Sequence, residues 1–372
     1  MERRDFLKNA GIAAAAGAAA LAGCAKKEEE KKEVAAPAVV TKKVYEWKMA
    51  TTWPPHFPVL GEGADHLAQW IEEMSDGRIK IHVYGAGELI PALECFDAVS
   101  QGTVQMGHGA SYYWAGKVPA AQFFAAVPFG FNAQQINSWF YGGGGLELWR
   151  EVYAPFNLVP FPAGNTGVQM GGWFRKEINS MEDFKGLKMR IPGLGGKVLA
   201  KAGANVINVA GGEIYTNLDR GVIDATEWVG PFHDLKMGFY KAAQYYYYPG
   251  WHEPGTCLEC FINKGVWDEL PKDLQNIIYT ALMRENLWTL AEFDAKNGDA
   301  LKELVGQHGV KLKKFPDEVL RGLRKLSDEV LEEAAAADPV TKKVYEGFKA
   351  FRATVEPWTE ISERAYMESL KL

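Results

Sequence analysis

The 372-residue sequence lacks a basic excess and the common catalytic motifs. Its 41 Lys and Arg stand against 47 Asp and Glu, a formal net charge of −6, whereas a nucleic-acid surface needs a basic field, so we exclude that partner. The 7 histidines form no H-E-x-x-H motif, and no G-x-S-x-G elbow is present. Two glycine-rich stretches, 141–149 and 192–197, lack P-loop spacing and are interpreted as turns.

Cysteine is scarce, with 4 in the chain. Cys257 and Cys260 form a C-x-x-C pair, but no second pair of cysteines or histidines stands nearby to complete a zinc site. If this segment is a strand, positions three apart point to opposite faces of a sheet. The spacing therefore favours two buried structural cysteines, with a redox pair as the alternative.

No apolar run is long enough for a permanent membrane span. The run from 10 to 23 has 14 residues and follows Arg3 and Arg4, an arrangement that resembles a twin-arginine export signal. "LAGC" at 21–24 resembles a lipobox with Cys24 as the lipid attachment site, the alternative being a plain secretory signal. Charge-rich residues follow it, a composition that cannot bury a core. We predict a signal over 1–24 and a tether over 25–43, so that an exported chain is held at the membrane by its lipid alone.

The rest of the chain predicts two α/β modules. Residues 45–109 alternate as strand, helix, strand, helix and strand, which indicates parallel strands joined by crossover helices. A second series of this kind runs from about 166 to 230. From 265 onward the pattern is helical and ends in a long C-terminal tail. Open α/β sheets bind ligands beyond the carboxyl ends of their strands, so the cleft between the modules is the expected site.

Three polar residues stand at predicted strand ends beside this cleft. Arg190 closes an alternating strand and can hold a carboxylate by its bidentate fork, although a solvated edge arginine fits the pattern equally well. Gln169 begins a strand after a glycine-rich turn, and Glu227 ends the strand "VIDATEW". Because Glu227 would repel an acidic ligand, we expect a cation between the carboxylates.

Two segments carry a family resemblance. "SMEDFKGLKMRIPG" and "GGEIYTNLDRGVIDATEW" look like the hallmark segments of the solute-binding proteins of TRAP (tripartite, ATP-independent periplasmic) transporters, and the similarity covers about 45 to 340. The resemblance implies a periplasmic-binding-protein-like fold. Each of its two domains would have a mixed sheet flanked by helices, the domains would be joined by crossing strands, and a long helical C-terminus would follow. It implies domain I at 44–162 plus about 256–300, domain II at 163–255 plus about 301–340, and a helical extension at 341–372.

The same resemblance implies the site. The chain is most similar to the branch that binds 2-oxo or 2-hydroxy acids with a metal ion, sodium or calcium. Arg190 would clamp the ligand carboxylate, and Gln169, Glu227 and the Trp228 carbonyl would hold the metal. Asn165 and Glu253 match further pocket positions, and Glu253 is a further metal candidate.

The resemblance also implies partners. These are a small organic acid, the permease subunits of a TRAP transporter and a second copy of the chain through the C-terminal helices, and no chemical reaction is implied. A different class remains open, an exported carbohydrate-active hydrolase that uses Glu227 and Glu253 as acid and base. A lipoprotein scaffold without a small ligand is a third hypothesis.

Overall fold

The computed structural model describes residues 43–372 and forms two mixed β-sheets flanked by helices. This is the predicted two-domain α/β architecture with a long helical C-terminus, which is thereby confirmed. The predicted export signal, the Cys24 attachment site and almost all of the tether lie outside the described residues.

Each of the two sheets combines strands from non-adjacent parts of the chain. The first sheet has the order β2-β1-β3-β10-β4 and the second the order β11-β9-β5-β8-β6-β7. The strands are β1 (Tyr45–Thr51), β2 (Ile79–Tyr84), β3 (Met106–Gly109), β4 (Leu158–Asn165), β5 (Gly172–Phe174), β6 (Lys188–Arg190), β7 (Asn205–Ile207), β8 (Ala225–Thr226), β9 (Tyr245–Tyr248), β10 (Cys257–Asn263) and β11 (Lys311–Lys314).

Helices connect these strands and cover the sheets. They are α1 (Leu60–Met74), α2 (Cys95–Ser100), α3 (Gln122–Ala125), α4 (Ala133–Gly142), α5 (Gly145–Tyr153), α6 (Gly193–Lys201), α7 (Gly211–Asp219), α8 (Pro231–Met237), α9 (Lys264–Asp268), α10 (Lys272–Gly306), α11 (Asp317–Ala337), α12 (Pro339–Thr359) and α13 (Ala365–Ser369).

Two connecting segments carry the chain between the sheets. Residues 166–171 lead from β4 in the first sheet to β5 in the second, and residues 249–256 lead from β9 back to β10. The segments are hydrogen-bonded to each other, since the Thr166 amide donates to the Thr256 carbonyl over 3.0 Å and the Gln169 amide donates to the Glu253 carbonyl over 3.1 Å. We call residues 166–171 and 249–256 the crossing segments.

The 35-residue helix α10 lies along both domains. It is about 52 Å long at 1.5 Å per residue, and it packs against β4 and α1 of the first domain and α8 of the second. Its buried side chains recur at helical spacing, for example Leu274, Ile278, Leu282 and Phe293. Helix α11 then packs on α6, while α12 returns to α3, α4 and α5.

The cysteines of β10 are buried free thiols, as the structural interpretation predicts. Cys257 packs into one apolar core and Cys260 into another, on opposite faces of the first sheet. Burial raises the pKa of both thiols well above its usual value, which makes them unreactive.

One local prediction is wrong, and two strands were not predicted. The glycine-rich stretch 192–197 forms the first turns of α6, which begins at Gly193 after Pro192 rather than at Lys197. The predicted turn at 141–149 is confirmed only at 143–144, between α4 and α5. Sequence analysis did not predict β9 and β11, which pair with each other in parallel. Within residues 43–372, no helix combines the length and apolar character needed to cross a bilayer.

Candidate ligand-binding site

Sheet register brings Arg190 and Glu227 together at one end of the second sheet. Strand β6 runs parallel to β8 with Arg190 opposite Thr226, so the next residue, Glu227, leaves the strand beside the guanidinium. The Arg190 Nη1 atom contacts both the Oε1 atom and the carbonyl oxygen of Glu227. Both side chains are about 1% exposed, so this ion pair is removed from water.

Gln169 and Glu253 meet because they lie on paired crossing segments. The Gln169 Nε2 atom faces three acceptors: Glu253 Oε2 at 2.8 Å, Thr166 Oγ1 at 3.2 Å and Thr256 Oγ1 at 3.3 Å. This arrangement assigns the amide nitrogen to that side and turns the Gln169 Oε1 atom the other way. That oxygen is buried and has no hydrogen-bond partner within residues 43–372.

Glu227, His252 and Glu253 form one buried cluster. One ligand atom from each residue lies within 4.8 Å of the other two. Burial and, to a smaller extent, the nearby Glu227 carboxylate raise the pKa of Glu253 to about 7. Two acidic groups are therefore held together in a dry site where one guanidinium is their cationic neighbour, an arrangement that favours a bound cation.

The backbone carbonyl of Trp228 belongs to the residue that directly follows Glu227. The hydrogen bonds of the described chain include none to this carbonyl oxygen. On the other side of the same peptide plane, the Val229 N–H donates to Asp234 Oδ1 over 3.3 Å. A trans peptide directs its N–H and C=O to opposite sides, so Asp234 fixes the direction of the Trp228 carbonyl.

Asp234 accepts three hydrogen bonds through its carboxylate. Its Oδ2 atom accepts from Trp173 Nε1 over 2.9 Å and from the Tyr246 hydroxyl over 2.7 Å. Burial raises the pKa of Asp234 to about 7, while these donors act in the opposite direction. Within residues 43–372 the hydrogen bonds to this carboxylate all come from donors, which matches the ionised form, because an ionised carboxylate only accepts hydrogen bonds.

The first domain contributes aromatic side chains to the site. Tyr112 and Tyr113 follow the carboxyl end of β3, and the buried Tyr112 and half-buried Tyr113 lie near Arg190, Glu227 and Glu253. Tyr112 and Tyr113 also line a cavity of about 360 Å³ together with Ile191, Pro192 and other residues around α6. The site therefore lies between the domains, as predicted from strand ends.

Asn165 lies beside the site in a structural position. Its Oδ1 atom accepts from the Gly167 N–H over 2.9 Å, and its Nδ2 atom donates to the Gly255 carbonyl over 3.3 Å. The side chain therefore ties the two crossing segments together. The structure brings Gln169, Arg190, Glu227 and Glu253 into one chain of contacts and places Asn165 at its edge.

Sequence analysis missed His252, Asp234, Tyr112 and Tyr113. The tyrosines could have been found, because they directly follow a predicted strand of the first module. His252 adjoins Glu253 in the stretch "GWHEPG" and carries the same signal. Asp234 had no signal in sequence, because its role depends on the fold that brings Val229, Trp173 and Tyr246 to it.

The donor set fits a hard cation. Sodium and calcium prefer oxygen ligands, and this site offers the free Gln169 oxygen and the carboxylates of Glu227 and Glu253. The hydrolase hypothesis requires these carboxylates to flank an open groove. They are instead buried, with 1% and 3% exposure, and Glu227 is already paired with Arg190.

A family model described as DctP, bacterial extracellular solute-binding protein, family 7, matches residues 49–338. Among curated relatives, the monocarboxylate 2-oxoacid-binding periplasmic protein all3028 of Nostoc sp. is 50% identical over 320 residues. That alignment spans 86% of this chain and 87% of the relative.

Solved structures agree with this match. A TRAP periplasmic solute-binding protein of Pseudoalteromonas atlantica, solved with bound sodium and pyruvate, is 48% identical with a TM-score of 0.85. The comparison covers 88% of this chain and 99% of that one. A TRAP transporter solute-binding protein of Bordetella bronchiseptica, a mixed-occupancy dimer with copurified calcium and picolinate, is 39% identical with a TM-score of 0.86, covering 88% and 97%.

Proposed function

Because the chain belongs to the bacterial extracellular solute-binding proteins of family 7, we propose that it binds a small 2-oxo or 2-hydroxy monocarboxylate together with a sodium or calcium ion. The family consists of substrate-binding receptors and not of enzymes, so the hydrolase hypothesis has no support. The proposed ligand is one that two closing domains can enclose in the cleft beside the aromatic residues.

One observation carries the proposal. Gln169 Oε1 and Arg190 Nη2 are buried side-chain atoms without a hydrogen-bond partner in the described chain, one an acceptor and the other a donor. An unpaired buried polar group costs about 1–3 kcal/mol, so such atoms in a natural site indicate missing partners. A cation suits the oxygen, and a carboxylate suits the free half of the guanidinium fork.

Charge balance supports the cation. Arg190 is already paired with Glu227, and Glu253 adds a second acidic group within the same buried cluster. A monocarboxylate would bring a further negative charge into a site that water does not reach. A cation between the ligand and the two carboxylates offsets that repulsion, which is strong in a low dielectric medium.

The residues take distinct roles in this proposal. Arg190 anchors the ligand carboxylate, and Gln169, Glu227 and the Trp228 carbonyl hold the cation. Glu253 orients the Gln169 amide and is a further cation ligand. Asn165 holds the crossing segments at the edge of the pocket.

The ligands of the related structures share a chemical feature, and we use it to choose the ligand class for this chain. Pyruvate carries a keto oxygen on the carbon beside its carboxylate, and picolinate carries its ring nitrogen there. Both are therefore carboxylates with an acceptor at the neighbouring position. We extend this ligand class to the present chain because its oxygen-rich donor set and its arginine fit the same chemistry.

Export and delivery complete the proposal. The chain is exported, anchored through a lipid on Cys24 and spaced from the membrane by the tether, and it delivers its ligand to the permease subunits of a TRAP transporter. We retain the predicted domain bounds, 44–162 plus about 256–300 and 163–255 plus about 301–340. Their support is that β1 to β4 and β10 form one sheet and the other strands the second.

A second copy of the chain is the proposed protein partner. The last turn of α12 and the C-terminal tail after it leave large apolar side chains exposed, at 66% for Trp358, 73% for Ile361, 63% for Tyr366 and 64% for Leu370. Burial of such a stripe against another copy would remove a large apolar area from water. Light scattering tests this: Trp358→Glu with Ile361→Glu should give monomers if the tail forms the dimer.

Native mass spectrometry and calorimetry test the ligand proposal together. The protein as purified should carry a bound small carboxylate and a cation. After unfolding, dialysis and refolding, titration with pyruvate should give binding in sodium or calcium buffer and at least tenfold weaker binding in chelator with a large organic cation. Absence of organic-acid binding under every cation condition would overturn the proposal.

A further inference from the structure

His252 is a buried side chain whose polar atoms are left without partners. The imidazole is fully buried in the cluster with Glu227 and Glu253. Neither Nδ1 nor Nε2 has a hydrogen-bond partner within residues 43–372. Its nearest charged neighbour is Glu227, with Nε2 at 3.4 Å from Oε2. A native site rarely leaves two buried nitrogens unpaired, so the ring points to a ligand.

A hard cation does not account for this imidazole. Sodium and calcium select oxygen ligands, whereas imidazole suits transition metals. The cation in the proposed site finds oxygens on Gln169, Glu227, Glu253 and Trp228. The cation therefore does not provide a partner for the His252 imidazole.

The ligand carboxylate does not account for it either, because the free Nη2 atom of Arg190 is the natural donor to that group. The part of a 2-oxo or 2-hydroxy acid that still needs a protein partner is the oxygen on the neighbouring carbon. A neutral imidazole presents one N–H donor and one nitrogen acceptor. It can therefore donate to a keto oxygen or accept from a hydroxyl group.

We propose that His252 forms a hydrogen bond with the oxygen at the 2-position of the ligand. The site would thereby bind 2-oxo and 2-hydroxy acids more tightly than unsubstituted carboxylates. This inference rests on the proposed function and names the residue that sets its ligand specificity. An unsubstituted acid of equal length would leave the imidazole unpaired after the cleft has closed. Loss of one such buried hydrogen bond weakens binding roughly ten- to hundredfold.

The ring is held in place for this role. Gly195 of α6 lies against the His252 Cβ atom, where a side chain on residue 195 would collide with it. The Trp251 ring packs edge-on at 5.4 Å between centroids. A fixed ring in a closed pocket discriminates by geometry, because it cannot move away to find another partner.

Calorimetry with matched ligands tests the proposal at saturating sodium and again at saturating calcium. Pyruvate, lactate and propionate have the same chain length and differ only at the 2-position. The wild-type protein should bind pyruvate and lactate at least tenfold more tightly than propionate. His252→Phe should lower that ratio to about threefold or less by weakening pyruvate and lactate, with propionate nearly unchanged. His252→Gln, which keeps a donor and an acceptor, should restore part of the ratio.

The control is His66→Gln. This histidine packs against Trp70 and Trp288 outside the site, and its variant should keep the wild-type ratio. If His252→Phe and His252→Gln both keep the ratio, or weaken all three ligands equally, the specificity role is overturned. Thermal unfolding identifies a variant that fails to fold, and His252→Asn then replaces it. Failure of the wild-type protein to bind any of the acids would overturn the proposed function itself, an outcome distinct from the others.

Discussion

The Gln169 Nε2 atom donates to the Oε2 atom of Glu253 over 2.8 Å, although the two residues are 84 positions apart in sequence. The bond joins the two crossing segments and leaves the Gln169 carbonyl oxygen as the free atom of the amide. An amide that would otherwise rotate is thereby fixed with its nitrogen toward Glu253 and its acceptor oxygen on the opposite side. The proposed cation ligand would therefore be oriented before any cation binds, which would reduce the entropy lost on binding.

Replacement of Gln169 by Leu should weaken cation binding. The variant keeps a similar side-chain volume but loses the carbonyl oxygen. We expect that a roughly ten- to hundredfold higher concentration of sodium or calcium will be needed for pyruvate to bind with its maximal affinity. Loss of a supporting group at a metal site has effects in this range. Calorimetric titrations of pyruvate across a series of cation concentrations measure this shift. Val168→Ala, at the neighbouring exposed side chain, should behave as wild type, and an unchanged cation requirement in Gln169→Leu would exclude the role.

Replacement of Arg190 by Lys should distinguish the contribution of the positive charge to ligand binding from the contribution of the guanidinium geometry. Lysine keeps a positive charge beside Glu227 but lacks the fork whose second arm is free for a carboxylate. We expect at least a tenfold loss of ligand affinity with little change in thermal stability. Arg190→Gln should instead also destabilise the fold, by about 3–5 kcal/mol, because it leaves the Glu227 charge buried and unpaired. Full ligand affinity in Arg190→Lys would show that a point charge is sufficient.

Asn in place of Asp234 should alter the preference between cations. The substitution keeps the shape of the side chain but removes the charge that acts through the 228–229 peptide. A carbonyl whose peptide N–H no longer faces a carboxylate is a weaker ligand, and a divalent ion feels the difference more strongly. We expect the calcium requirement for pyruvate binding to rise more than the sodium requirement.

The matched control for Asp234 is Tyr246→Phe. It removes one hydrogen bond to Oδ2 and leaves the Val229 contact at Oδ1 in place. Both variants should lose some thermal stability, but only Asp234→Asn should change the ratio of the two cation requirements. An equal change in both requirements would indicate that Asp234 has a purely structural role.

Glu259 should make the fold less stable as the pH rises. Burial raises the pKa of this β10 residue from 4.5 to about 8, although Trp114 Nε1 and the Tyr153 hydroxyl donate to it. Between pH 4.5 and 8 the native state keeps a proton that the unfolded state releases. Stability therefore falls through this window, by at most about 1.4 kcal/mol per pH unit for one group.

The Glu259→Gln variant tests this sign. Glutamine is neutral at every pH and can still accept from Trp114, so its urea-unfolding free energy should fall less between pH 5 and 8. Some slope should persist, because burial also raises the pKa values of Glu253 and Asp234 to about 7. Glu147→Gln, at an exposed position of α5, should keep the wild-type slope. A wild-type stability that rises with pH across this window would contradict the assignment.

Periodicity and strand ends were sufficient to predict much of the fold. The alternation before Arg190 predicted a strand that ends at this residue, and β6 ends there. The pattern left a cleft-facing and a solvated arginine equally open, and the structure buries the side chain. A helical pattern was predicted from 265 onward, and the long helix α10 is observed from Lys272 to Gly306. Such features depend on residues close together in sequence, which local patterns report well.

The missed features depend on contacts between distant segments. The strand pair β9 and β11 is held by residues more than 60 positions apart, and neither segment alone has a decisive pattern. Asp234 likewise depends on Trp173, 61 positions away. The glycine-rich start of α6 was wrongly interpreted as a turn because glycine is a poor helix former. Close packing there, with Gly195 against His252 and Gly196 against the Ile191 carbonyl, leaves no room for a side chain.

Gln169, His252 and Glu253 lie on the crossing segments, through which the chain passes between the two sheets. The proposed cation would therefore bind at the connection between the domains as well as in the cleft. A displacement of a fraction of an ångström at such a connection becomes a larger movement at the far edge of each domain. In the proposed complex, we expect an ion that is too large or too small for its oxygen ligands to change the angle between the domains, and with it the surface offered to the permease.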